Sequence, residues 1–331
     1  MLSRLYKSIN RLKIITPVIT EGVGYAKSAQ RIQKELGKDK VDLIDLNRKG
    51  SFKKILICFL SRNIIINGYS ALGYYQLIMI IVFNNQANIY IHEGVSQILK
   101  IERKWAPLKR KYVRLILKKA KVFCVSYNQR QQLINQSILT KKSDVIYNCA
   151  ATKSSALINC QSKSVKILMA GTLQDRKGFK LYSDVSDFIS SSDSINGFDF
   201  YWAGNRGNEF ADLSNSVKFL GYVEDMSDLL RNIDIFFLSS KEEPFGLAAL
   251  EALQEGKKLV CYKDSGIAEL FGCINGVEIY SEYSMSSAID ALIRVQKVDL
   301  DKEKVEKVFI ERLSINSFIK NIKNKIGFPN D

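Results

Sequence analysis

Histidine is almost missing from this chain: His92 stands alone among 331 residues. The six cysteines, Cys58, Cys124, Cys149, Cys160, Cys261 and Cys273, include no C-x-x-C pair. No His, Cys or acid cluster has metal-ligand spacing, which argues against a structural zinc site and against a disulfide framework. Most of the cysteines fall in apolar runs and read as buried thiols of a reducing cytosol. No export signal is evident either, since the apolar run at 14–20 is short and no small-residue cleavage site follows. Charge is missing from residues 63–91, a length that a membrane span would need. Asn67, Gly68, Ser70, Gly73 and Gln76 interrupt that run, so it reads as a strand, a buried helix and a further strand ending at His92.

Acids are scarce in the first half. Residues 1–150 hold 27 Lys and Arg against 8 Asp and Glu, while residues 151–331 hold 22 against 26. A half so basic implies a polyanionic partner, an anionic membrane surface or nucleic acid. The charge peaks at 100–121, KIERKWAPLKRKYVRLILKKAK, with ten Lys or Arg and one acid. Pro107 marks a break and a new helix start. Ile101, Trp105, Leu108, Tyr112 and Leu115 recur at three to four residues, so a basic face flanks an apolar one that either lies on anionic lipid or packs on the sheet. No RNA- or DNA-binding motif accompanies the charge, which disfavours nucleic acid.

The length exceeds one ordinary core, and strand and helix patterns alternate, so the chain reads as two doubly wound α/β halves. In the first, residues 13–20 form a strand, Gly22-x-Gly24 a glycine turn, and residues 26–36 a helix ending at Gly37. Residues 41–46 and 55–59 are further strands. Residues 88–93, NIYIHE, form a strand that puts His92 at its carboxyl end, where open α/β sheets hold ligands. Residues 151–163, rich in Ser and Lys, form a linker. In the second half, strands are read at 165–170, 198–204, 217–223, 233–238 and 258–262, with a short helix at 225–231. The most organised stretch is 233–256: a buried strand, a polar turn, then a helix in which Leu247, Leu250 and Leu253 share a face before Gly256. Glu243 sits in the turn and Glu251 in the helix, and Gly246 lets a ligand approach the helix N-terminus, which suits a phosphate.

Glu243-Pro-Phe-Gly-Leu-Ala-Ala-Leu-Glu251 resembles the Glu-x7-Glu signature of retaining glycosyltransferases of the GT-B fold, family 4 (glycosyl transferases group 1). Gly171-Thr-Leu-Gln-Asp-Arg-Lys-Gly178 resembles that family's Gly-Arg-x4-Lys-Gly motif, with Thr172 in place of its Arg. The strands at 122–126, 144–149 and 217–223 resemble its counterparts, and Asp264 to Glu269 resembles its Gly-Gly-x-x-Glu turn with one glycine of two. What the resemblance implies is an α/β GT-B chain of two Rossmann-like doubly wound domains facing across a cleft. Residues 1–150 would be the acceptor and membrane-facing domain, 151–308 the nucleotide-sugar domain, and 309–331 a helix crossing back, with Phe309, Leu313, Phe318 and Ile322 on one face. The implied catalytic residues are Glu243 on the donor sugar, Lys177 and Arg176 on the diphosphate, Arg176 supplying the charge that Thr172 lacks, and His92 beside the sugar. Donor-binding residues would be Glu251 on the ribose, Phe245, Gly246, Leu247, Gly171, Thr172, Gly24, Gly204 and Val223. The reaction expected is transfer of a sugar, of hexosyl type, from a nucleotide-diphosphate sugar to a hydroxyl acceptor. The acceptor expected is a glycan or lipid-linked glycan of cell-surface polysaccharide synthesis.

No cofactor and no metal is expected, because Asp299-Leu-Asp301 reads as a helix cap, far from the phosphate motifs. The expected location is cytoplasmic, peripheral on the inner face of the cell membrane. The alternatives are a catalytically inactive nucleotide-sugar-binding scaffold on the same fold and a basic nucleic-acid binder.

Overall fold

The computed structural model describes residues 11–17, 24–47, 58, 61, 63–74, 87–149, 164–192, 195, 197–207 and 213–327. The chain divides into two compact units, Met1–Cys149 with Arg312–Asp331, and Ala150–Glu311.

In the first unit β1 (Leu12–Thr16), β2 (Val41–Asp45), β3 (Ile64–Asn67), β4 (Ala87–Ile91), β5 (Lys121–Cys124) and β6 (Asp144–Val145) form one parallel sheet in the order β2-β1-β3-β4-β5-β6. Isoleucine-rich β1, β3 and β4 are buried at every position, as strands covered on both faces must be. Helices α1 (Gly24–Leu36), α2 (Val95–Arg103), α3 (Pro107–Lys119) and α4 (Tyr127–Asn135) belong to this unit. Lys13 is buried in β1 and is tolerated there because its register partner Asp42 on β2 pairs with it.

In the second unit β7 (Val165–Ala170), α5 (Phe179–Ser191), β8 (Phe198–Ala203), β9 (Val217–Gly221), α6 (Met226–Arg231), β10 (Ile235–Leu238), α7 (Leu247–Gln254), β11 (Lys258–Tyr262), α8 (Ala268–Phe271), β12 (Val277–Tyr280), α9 (Met285–Gln296) and α10 (Lys302–Val308) follow in turn. The sheet is again parallel, ordered β12-β11-β10-β7-β8-β9. Tyr182 of α5 lies across its middle, stacked on Phe237 and edge-on to Phe200 and Trp202, with its hydroxyl donating to the carbonyls of Ile167 and Tyr201 at 3.0 and 2.9 Å. The chain winds outward from β7 and then from β10, so a switch point falls between them, where open sheets leave a crevice at their carboxyl ends.

The final helix α11 (Ile315–Ile326) belongs to the first unit, buries Phe318, Ile319, Ile322 and Ile326, and packs beside α1. Lys325 ties it to β6, donating to the Asp144 carboxylate at 2.5 Å and the Val145 carbonyl at 2.8 Å.

Several expectations need correction. Cys273 is exposed, unlike the buried Cys58, Cys124, Cys149 and Cys261, because it sits in the turn after α8 where Phe271 and Ile274 take the inward positions. The strand expected to end at His92 ends at Ile91, one residue earlier. The apolar face read through 101–115 is not continuous, because the break at 104–106 rotates α3 relative to α2. Val113 and Leu117 are the buried residues of α3, whereas Leu108, Tyr112 and Leu115 are exposed. The strand read at 55–59 lies outside the described residues apart from Cys58, as do the glycine turn before Gly24, the linker 151–163 and most of the helix read within 63–91. Only a 3-10 turn at Tyr69–Gly73 represents that helix among the described residues. No helix among the described residues is long and apolar enough to cross a membrane.

One buried network sets how α3 sits. Glu102, almost fully buried, accepts from the Tyr69 hydroxyl at 2.6 Å and from Arg114 Nε and a terminal guanidinium nitrogen at 2.9 and 2.6 Å. Burial alone would raise the Glu102 carboxyl; hydrogen bonds from Arg114 and Tyr69 and the guanidinium charge prevail and hold it below the usual value. Arg114→Met should therefore lower stability by about 3–5 kcal/mol at neutral pH, read as a lower urea midpoint, because it strands a buried carboxylate. A depressed carboxyl stabilises the fold above its unfolded pKa of about 4.3 and loses that contribution as pH falls. The stability gap between wild type and Glu102→Gln should thus narrow below about pH 4.

Candidate functional site

Beyond β7 the chain passes Gly171 and Thr172 into a 3-10 turn, Asp175–Lys177, which Gly178 closes at φ 71°. A Cβ on Gly178 would stand 2.0 Å from the Ser239 carbonyl oxygen and 2.4 Å from the Tyr283 hydroxyl. Only glycine therefore lets the loop after β7 touch the loop after β10. The contact is hydrogen-bonded throughout. Ser239 Oγ donates to the Lys177 carbonyl at 3.0 Å, Lys241 N to the Arg176 carbonyl at 2.9 Å, and the Tyr283 hydroxyl to the Ser239 carbonyl at 2.9 Å.

That seam brings two residues far apart in sequence into an ion pair. Lys177 Nζ lies 2.5 Å from Glu243 Oε2, with both side chains largely buried, and Ser240 Oγ donates to the same oxygen at 3.3 Å. Burial alone would raise Glu243; the Lys177 ammonium, the Arg176 charge and the hydrogen bonds from Lys177 and Ser240 hold it below the usual range. Burial lowers the Lys177 ammonium, and Glu243 opposes that shift. Arg176, half-buried, acts electrostatically on both partners while its Nε donates to Gln174 Oε1 at 3.1 Å. The other nearby guanidinium, Arg206, lies 5.0 Å over the Phe219 ring. Lys177, Glu243 and Arg176 thus meet at the switch point, in loops that also carry Asp175, Lys241 and Glu242.

The glycines are backbone contacts. A Cβ on Gly204, at the end of β8, would stand 2.1 Å from the Gly171 carbonyl, which also accepts from Trp202 Nε1 at 2.8 Å. Thr172 packs its methyl against Gly207, and Val223 is half-buried two residues past β9. At the head of α7, Phe245 is buried and Gly246 holds φ 102°. Gly266 N donates to the Glu243 carbonyl at 2.9 Å, so the one-glycine turn at 264–269 braces the acid from the other side. Leu247 opens α7 and Glu251 lies half-buried on its second turn.

Two of the residues read from sequence belong to the first unit. Gly24 is the first residue of α1. His92 follows β4; its Nε2 lies 2.9 Å from Asn67 Oδ1 and its ring stands edge-on to Tyr90. Burial lowers its pKa to about 3, so the imidazole is neutral at physiological pH.

The sequence reading missed Glu93, which is buried and accepts from Tyr69 N, Ser70 N and Ser70 Oγ at 2.7, 3.0 and 2.9 Å, fixing the turn after β3. Its only signal was an acid beside the lone histidine. Ser239, Ser240 and Tyr283 were missed as well; the serines follow a buried strand, but Tyr283 gives no local sign, lying 44 residues from the carbonyl it holds. Asp301 caps α10 by accepting from Lys304 N at 3.1 Å. Among the described residues no three His, Cys, Asp or Glu gather as a metal site would need.

Residues 164–295 match the family model described as glycosyl transferases group 1. A 57-residue stretch is 44% identical to mannosylfructose-phosphate synthase of Agrobacterium fabrum, covering 17% of this chain and only 13% of that protein. Solved structures resemble the chain along most of its length. Anabaena Alr3699/HepE in complex with UDP and glucose superposes with TM-score 0.70 at 18% identity, covering 96% of this chain and 100% of that one. Sucrose-phosphate synthase of Thermosynechococcus elongatus gives 0.69 at 14%, covering 95% and 98%. WaaG, a glycosyltransferase involved in lipopolysaccharide biosynthesis, gives 0.65 at 12%, covering 97% and 100%. The fold is GT-B, an α/β architecture with two parallel six-stranded sheets. Fold along the chain and family match over its second unit together support a group 1 glycosyltransferase.

Gly178→Ala should cost about 2–4 kcal/mol, from the clash and the left-handed φ together. The melting transition would fall, and it would fall further than for Gly197→Ala, where a Cβ meets nothing within 4 Å and φ is likewise positive.

Proposed function

We propose that this chain is a retaining, family 4 glycosyltransferase that moves a hexose from a nucleotide-diphosphate sugar to a hydroxyl, without a bound metal. The observation that carries this reading is the Lys177–Glu243 pair with Arg176 beside it, at the switch point of the second sheet. A diphosphate brings charge that competes with Glu243 for Lys177 and is attracted by Arg176 and the N-terminus of α7. Once Lys177 turns to phosphate, the Glu243 carboxylate accepts hydrogen bonds from the sugar. Glu251 holds the ribose. The acceptor attacks on the face the diphosphate leaves, and the departing phosphate takes the acceptor's proton. Positioning and neutralisation of the leaving group are then the protein's contribution. His92, being neutral, serves the substrate as a hydrogen-bonding group and not as a cation.

The neighbours' ligands and roles agree with this. The Anabaena protein was solved with UDP-glucose, and WaaG acts in lipopolysaccharide biosynthesis. By the same reasoning the acceptor here is a glycan, lipid-linked, in cell-surface polysaccharide synthesis. The basic first half then works peripherally at the anionic inner face of the cell membrane. Thr172, where the family carries Arg, favours a second reading, an inactive nucleotide-sugar-binding scaffold.

A thermal-shift screen against UDP, GDP, dTDP, ADP and CMP tests the site. At 100 times its dissociation constant the correct nucleotide should stabilise by about 2.7 kcal/mol, and Glu251→Ala should abolish that gain. No stabilisation by any of them would remove the donor site from consideration. With the matching sugar nucleotide, Lys177→Met should lower kcat by about 100- to 1,000-fold. Binding without turnover or hydrolysis of any sugar nucleotide would leave the scaffold reading standing.

A further inference from the structure

The backbone on either side of His92 is held from two directions. Gln129 of α4, itself buried, donates from Nε2 to the Ile91 carbonyl at 3.3 Å and to the Glu93 carbonyl at 2.8 Å, while its Oε1 accepts from Val125 N at 2.8 Å. Glu93 Oε2 accepts from His92 N at 3.3 Å and from Tyr69 N, in the turn that leaves β3, at 2.7 Å. Gly68 N, in that same turn, donates to the Tyr90 carbonyl at 2.7 Å. Asn67, the last residue of β3, is the register partner of Tyr90 and is fully buried. The ends of β3 and β4 are thus fixed relative to each other, and the Asn67 amide meets the His92 imidazole across them.

Asn67 Oδ1 lies 2.9 Å from His92 Nε2. An amide oxygen has lone pairs and no proton, so this contact is a hydrogen bond only when Nε2 carries the hydrogen. We infer that Asn67 is a positioning residue that holds His92 in its Nε2–H form, so that the ring meets its ligand through the lone pair on Nδ1. The ligand group follows in kind: Nδ1 takes a hydroxyl, which can donate to it, and disfavours a phosphate or carboxylate oxygen, which cannot. Burial keeps a second proton off the ring at neutral pH, its pKa being lowered to about 3. A ring flip would set a C–H against the Asn67 oxygen in place of the hydrogen bond. The Nε2–H form does not depend on the donor site, whereas its use in sugar transfer rests on the reading of His92 given above.

His92 is the single histidine of the chain, so heavy-nitrogen labelling of histidine reports this ring alone by nuclear magnetic resonance. In the full-length wild type at neutral pH the spectrum should show a protonated Nε2 and a lone pair on Nδ1, with the Nε2 proton slow enough in exchange to be observed. Asn67→Ala should speed that exchange about tenfold, the factor that a hydrogen bond of ordinary strength supplies, and should admit the Nδ1–H form. Asn67→Asp keeps an oxygen at the same place and should keep Nε2 protonated; it carries the comparison if alanine at so buried a position unfolds the chain. With the sugar nucleotide identified by thermal shift, Asn67→Ala should lower kcat about tenfold when His92 is present and not at all in a His92→Ala background. A proton on Nδ1 in the wild type, or an Nε2 signal that alanine leaves unchanged, would overturn the Nε2–H assignment. Equal losses of kcat in both backgrounds, or full kcat in His92→Ala, would overturn the positioning role. Absence of stabilisation by every nucleoside diphosphate would count against the donor site alone, because the labelled spectrum needs no ligand.

Discussion

The candidate site depends on one close approach, that of Gly178 to the Ser239 carbonyl. Without a side chain at 178, the loops after β7 and β10 share hydrogen bonds; with one, the two carbonyl-lined turns would be pushed apart. Everything chemical follows from that contact. Lys177 and Glu243 meet because their backbones are sewn together on either side, and Tyr283 and Gly266 brace the assembly from two further loops. A buried ion pair is seldom a source of net stability, since desolvating both charges costs about what their attraction returns. On the donor-site reading proposed above, its value lies in keeping two charged groups at one point where a diphosphate would compete for them.

The first unit shows the same economy of means with different groups. A carboxylate, Glu93, occupies the position after its strand-end histidine and spends its oxygens on the backbone N–H groups of the neighbouring turn. The histidine beside it is kept neutral by burial and oriented by Asn67. The second sheet thus holds an ion pair at its carboxyl end, and the first a carboxylate bound to a turn beside a neutral imidazole. Helix α3 divides its own charges in a similar way, some turned inward to hold its orientation and the rest left outward beside leucine and tyrosine.

How much of this could be read beforehand varies with range. Strands such as 165–170 and 258–262 were legible residue by residue, because a short apolar run bounded by turn residues is too short for a helix and suits a strand buried at its centre. The Glu243, Arg176 and Lys177 cluster was legible only through its likeness to a family motif; spacing alone left each residue as a solvated charge. Tyr283 and Glu93 were illegible, since a hydroxyl or carboxylate that serves a backbone group many residues away leaves no local pattern. The basic segment at 100–121 was half legible: its composition was plain, its inward face was not.

Sequence by itself determined the alternation of strands and helices, the two-unit division, the basic first half and the glycines that end strands, because these depend on local pattern and composition. Only the tertiary structure decided that Lys177 pairs with Glu243, that His92 is held neutral, and that Leu108, Tyr112 and Leu115 face outward. Each of those outcomes turns on burial and on partners brought from distant parts of the chain. Burial and long-range partnership are properties of the packed molecule, and no window of sequence contains them.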